Sequence, residues 1–128
     1  MNFLRGCVVA RGDDIEERLI RYAVRIIRVS EALPDKPAAR HVRGQLVRSG
    51  TAPAPNYAEA RGAESSKDFV HKLRIVLKEL NETRIWLQIT VAANMVRANL
   101  MGDLLDETDQ LCRIIVASIQ TAQKSAPN

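Results

Sequence analysis

Aromatic side chains are scarce in this 128-residue chain: phenylalanine, tryptophan and tyrosine together make up 4% of it. A core built here must therefore be aliphatic, as in many helical bundles. There are two cysteines, Cys7 and Cys112, which exclude a disulfide scaffold and point to a reducing cytoplasm. Cys112 sits in an apolar helical run and reads as a small core residue, whereas Cys7 falls in an N-terminal tail. No stretch approaches the roughly 18–20 apolar residues of a membrane span, so no membrane partner is expected. The apolar run in "MNFLRGCVVARG" is broken by Arg5 and is too short for a signal peptide. No alternating strand pattern, internal repeat or glycine-rich phosphate loop is present.

Helical periodicity fills the rest. Ile15, Leu19, Tyr22, Ile26, Val29 and Leu33 recur at spacings of three and four, one face of a helix that "DDIE" opens with Asp13 as N-cap and Glu16 at N3. "LPDKP" closes it, and Pro37 suits the first position of the next helix. That second helix carries Val42, Leu46 and Ser49, with Gly62 as its expected C-cap. A third begins at the Ser65–Asp68 cap pair and buries Phe69, Leu73, Val76, Leu80 and Leu87; Ile75, Trp86 and Ile89 widen its apolar face beyond one seam. The fourth sets Leu104, Thr108, Leu111, Ile115 and Ile119 inward.

The segment "RSGTAPAPNYAEA" interrupts this regularity with Pro53 and Pro55. Each proline inside a helix removes a hydrogen bond and clashes with the preceding turn, at about 3 kcal/mol. Helix formers follow at once, so the prediction is one long second helix, kinked or briefly unwound near Pro53–Pro55, with Ser49, Thr51 and Asn56 as local polar partners and small residues allowing close backbone approach. The expected fold class is all-α, an antiparallel up-down four-helix bundle with helices near residues 13–33, 37–62, 66–93 and 100–124. Residues 1–12 are expected to be a flexible tail, 13–124 the bundle and 125–128 a second tail.

Charge is the main functional signal. The net charge is +4, and 14 of the 19 basic residues are arginine, the better fork for phosphate and carboxylate. Arg18, Arg21, Arg25 and Arg28 recur at three, four and three on the first helix, offset from its core stripe. Asp14 and Glu17 stand one turn before Arg18 and Arg21, while Arg25 and Arg28 have no such acid, so these four are the candidate nucleic-acid contacts. No aromatic interrupts the stripe, which favours backbone contact without base stacking. Catalysis is not expected: Ser-His-Asp and Cys-His arrangements are missing, and Glu79 and Glu82 read as ion-pair partners of Arg48 or of other arginines between helices or subunits. No metal or cofactor is expected either, because neither His41 nor His71 lies three residues after a glutamate.

The stretch "GQLVRSGTAPAPNYAEARGAESSKDFVHKLRIVLKELNETRIWLQI" resembles the four helix bundle protein family, also called the 23S rRNA intervening-sequence or S23 proteins. Gln45, Leu46, Arg48, Asn56, Ala58, Glu59, Phe69, Glu79, Leu80 and Glu82 match that family's pattern, while Val47, Ala54 and Ala60 depart from it. The resemblance implies an antiparallel bundle that assembles as a homopentamer, and one relative works with a reverse transcriptase and nucleic acid. Two expectations concern side chains: a polar network of Arg48, Asn56, Glu59, Glu79 and Glu82, and an oligomer interface at Trp86 and Ile89. The expected function is a non-enzymatic oligomer that binds RNA or DNA non-specifically; the alternative is a protein-interaction scaffold or adaptor.

Overall fold

The computed structural model describes residues 11–125, and these contain helices and no strand. Five α-helices follow in order: α1 Arg11–Ala32, α2 Pro37–Thr51, α3 Pro53–Arg61, α4 Ser66–Ala92 and α5 Gly102–Ser125, with a 3₁₀ turn at Ala98–Leu100. Helix α4 packs against α2, α3 and α5, while α1 packs against α2 and α3 and touches α5. The apolar stripes meet in one aliphatic core: Leu19, Ile26, Leu46, Leu73, Leu80, Leu87, Leu111 and Ile115 are fully buried.

Helix ends follow identifiable local chemistry. The chain is helical from Arg11, so Asp13 is not an N-cap; it lies in the first turn, and its carboxylate pairs with Arg61 at 2.7 Å. Glu16, expected to complete the capping box, also goes to Arg61, at 3.1 Å. A tertiary cation has taken both acids from the local cap. At the other end of α1, Arg43 donates from Nε to the Ser30 carbonyl at 2.9 Å and from Nη2 to that of Leu33 at 3.0 Å. The Ser30 carbonyl already accepts the Leu33 amide at 3.2 Å, and the guanidinium adds a second donor there while reaching the Leu33 carbonyl just past the helix end. Pro37 occupies the start of α2 as expected. Ser65 caps α4, its hydroxyl accepting from the Asp68 amide at 3.1 Å. The end of α4 is a Schellman turn: Asn94 takes φ 57°, its amide bonds Val91 O at 3.0 Å, and the Met95 amide bonds Thr90 O at 2.8 Å.

The helix expected over residues 37–62 is divided at Ala52 into α2 and α3. Ala52 keeps helical dihedrals, φ −71° and ψ −35°, so the chain passes from one helix to the next without a loop. Pro53 and Pro55 cannot donate to the carbonyls four residues earlier, and the hydrogen-bond ladder stops there. Polar side chains surround the break. Ser49 Oγ donates to Gln45 O at 2.8 Å, Thr51 Oγ1 donates to Val47 O, and Asn56 Nδ2 donates to Ala52 O at 2.9 Å. Small size matters at Gly50, where a Cβ would stand 2.6 Å from Ile26 Cγ2; α1 and α2 approach too closely there for any larger residue.

Two hydroxyl pairs cross the core. Tyr22 Oη lies 2.7 Å from Thr108 Oγ1, linking α1 to α5, while Thr108 itself donates to Leu104 O. Thr83 Oγ1 lies 2.9 Å from Ser49 Oγ and 2.7 Å from Glu79 O, linking α4 to α2. No buried side-chain nitrogen or oxygen among the described residues lacks a partner.

Candidate nucleic-acid interface

The four arginines of α1 have different surroundings. Arg18 is engaged with α5: Nε and Nη2 donate to the two Glu107 carboxylate oxygens at 2.7 Å each, and Nη2 also reaches Gln110 at 2.8 Å. This forked pair holds the guanidinium proton more tightly than usual. The expected Arg18–Asp14 pairing gives way to it, because a bidentate carboxylate across the helix contact outcompetes an exposed one on the same helix. Arg21 makes the expected local pair with Glu17 at 3.1 Å. Arg25 and Arg28 are exposed, and neither forms an ion pair among the described residues. Arg18 is therefore committed within the fold, Arg21 is exposed with a partner on its own helix, and Arg25 and Arg28 are exposed without an ion pair among the described residues.

The expected polar network forms in part. Arg48 Nη1 lies 3.4 Å from Glu79, Nη2 contacts Glu82, and Gln45 Oε1 accepts from Nη2 at 3.0 Å. Glu82 also accepts the Trp86 indole N–H at 3.0 Å, and this bond, with Arg48, holds its carboxyl below the ordinary glutamate range. The Trp86 ring meets the His41 imidazole edge-on, centroids 5.8 Å apart. Asn56 and Glu59 stand outside this cluster. The Asn56 amide serves Ala52 O, while Glu59 is exposed and pairs with Lys72 at 3.1 Å. Both lie on the short α3, beyond the break, and their partners are close to home. Trp86 and Ile89 are half-buried, and beside them Ile85 is 53% exposed.

Sequence reasoning missed three arginine contacts. Arg43 caps α1, Arg61 ties α3 to the start of α1, and Arg84 joins Asp109 at 2.8 Å across α4 and α5. Gly12 is the one local hint for Arg61, because a Cβ there would stand 2.8 Å from its Nε. Arg84 also lies 3.8 Å from the Cys112 sulfur, and burial pushes that thiol up, away from reactive thiolate. Cys7 lies outside the described residues.

An open groove of about 500 Å³ runs beside Phe69, Ile114, Ala117, Ser118 and Thr121, and its lining offers no titratable side chain. Among the described residues no three His, Cys, Asp or Glu side chains are placed to share a metal ion, and no helix is long and apolar enough to cross a membrane.

No curated protein matches the chain. Among solved structures it is similar to a protein of unknown function from the S23 ribosomal protein family of Bacteroides thetaiotaomicron, with a TM-score of 0.80 and 26% identity over 87% of this chain and 99% of the other. The sequence profile of the 23S rRNA-intervening sequence protein family matches residues 14–117, which span α1 through most of α5. The chain belongs to the 23S rRNA-intervening sequence protein family.

Proposed function

We propose that this chain is a non-enzymatic, cytoplasmic homo-oligomer that binds RNA or DNA through basic side chains without reading sequence. The observation that carries the reading is the pair Arg25 and Arg28. They are exposed, one helical turn apart, and free of acidic partners among the described residues, on a chain of net charge +4. Phosphate contact by such cations releases counterions and positions the protein without specifying bases. Assembly would repeat the pair around the oligomer and raise its avidity. The pentamer remains the expected number from the family resemblance, with the Trp86, Ile89 and Ile85 face of α4 as its interface. We read the helices as an antiparallel up-down bundle, and the break at Ala52 as a kink in one long second helix, within a single domain that takes in all the described helices, from Arg11 to Ser125.

A second reading has its own support. Ile20, Val24 and Ile27 recur at four and three on α1 and are 50%, 39% and 38% exposed. An apolar row of that kind suits contact with another protein, as a scaffold or adaptor would use. Fluorescence anisotropy with a labelled nucleic acid separates the two. The nucleic-acid reading expects binding that weakens for R25E/R28E and persists for the charge-matched control K67E/K124E, which alters two exposed lysines outside α1. Equal loss in both variants would assign binding to the overall charge and not to this pair, and no binding by the assembled wild type at low salt favours the scaffold.

A further inference from the structure

We propose that the ligand of the Arg25–Arg28 face is double-stranded nucleic acid rather than a single strand, an inference that rests on the nucleic-acid reading above. Proteins that hold single strands combine cations with aromatic rings on which the unpaired bases stack. Of the phenylalanine, tyrosine and tryptophan rings among the described residues, Tyr22 is the one on α1 and it is buried, and the others lie on α3 and α4. Tyr22 is 1% exposed with its hydroxyl on Thr108, and Tyr57 is 4% exposed. Trp86 is half-buried, edge-on to His41, with its N–H on Glu82. Phe69 packs against the core. The fifth aromatic, Phe3, lies outside the described residues.

What α1 presents instead is charge alone. Arg25 and Arg28 are three residues apart on a 22-residue helix, hence about 4.5 Å apart along its axis and on the same side. The sequence of α1 contains no asparagine or glutamine, the amides that read base edges in a bidentate way. A contact made only of cations gains most from the densest polyanion. A duplex carries one charge per roughly 1.7 Å of axis, and a single strand about half that density. A rigid helix also loses little by meeting a rigid partner, whereas a flexible strand must be ordered with no stacking to offset it.

The test uses the full-length assembled chain in low-salt buffer, with a labelled mixed-sequence DNA duplex, the matching RNA duplex, and each separated strand as probes. Duplex affinity about tenfold or more above that of either strand is expected, and R25E/R28E should remove most of that advantage. F3A should leave the ranking unchanged. Strands bound as tightly as duplexes, or a strong single-strand signal lost in F3A, would overturn the duplex inference while leaving nucleic-acid binding intact. Binding to none of the probes overturns both.

Discussion

Two glutamates three apart on one helix face need a cation, which the sequence offered as Arg48 among other arginines; in the fold Arg48 contacts both Glu79 and Glu82. The partner of Glu59 was not legible, since an exposed acid on a short helix takes the nearest amine, here Lys72. The arginines that cap or clasp were illegible for a related reason: Arg43 donates to backbone carbonyls at and just past the end of α1, and nothing in the spacing of side chains signals it. Removing Arg48 leaves Glu79, which is 9% exposed, without its cation. The guanidinium is half-exposed, so the expected loss for Arg48→Ala is about 1–2 kcal/mol, less than for a fully buried pair. A thermal melt at neutral pH checks it, and an unchanged midpoint would exclude a structural role. Trp86 is the single tryptophan, so its emission reports on the same cluster. Glu82 adds a pH dependence. Its folded pKa lies below the ordinary 4.5, so its contribution is complete above that value and is lost as pH falls through the lower folded value. Glu82→Gln should flatten this acid limb of the stability curve, a change seen by repeating the melts from neutral pH downwards.

Among the helices, periodicity located the core stripes of α1, α2, α4 and α5, since burial of one face is what the pattern encodes, but it did not single out Ala54, Tyr57 and Ala60, which α3 buries. Boundaries fared less well. The split at Ala52 depends on where two prolines interrupt the ladder, and periodicity continues through it. The end of α4 fell within one residue of the expected 93, although asparagine, not glycine, occupies the left-handed position there. The stretch of small residues before the prolines gives the sharpest test at this scale. Gly50→Ala sets a methyl 2.6–3.0 Å from three carbons of the fully buried Ile26. Overpacking of that kind costs about 1–3 kcal/mol, more than the gain of up to about 1 kcal/mol from replacing a helical glycine. Gly44→Ala, on the same helix, meets nothing within 4 Å and should raise stability by up to about 1 kcal/mol. Opposite signs for the two variants in urea denaturation are expected. A stabilising Gly50→Ala would mean that α1 and α2 do not pack as closely as described.

At the scale of the whole molecule, family and fold agree, and the sequence carried both because the match runs through residues 14–117. Function was less legible. The sequence set Arg18 and Arg21, each with an acid one turn before, apart from Arg25 and Arg28, but the forked bond of Arg18 to Glu107 across the helices was not readable from it. The apolar row on α1 is also a three-dimensional fact, since those residues would equally suit a broad core face. Self-assembly through α4 predicts a native mass above that of the 14.3 kDa chain, reduced by Ile85→Glu with Ile89→Glu while helical content is kept. Light scattering paired with circular dichroism measures both; a wild-type monomer at micromolar concentration would reject assembly. The measurement nearest the central claim is the slope of log affinity for a duplex against log salt, compared between the wild-type protein and R25E/R28E. Each phosphate contact contributes about −0.9 to that slope, so the double variant should lose about 1.8 per engaged chain if each arginine neutralises one phosphate. A slope that is flat in the wild type, or the same in both proteins, would contradict a role for these two arginines in binding nucleic acid.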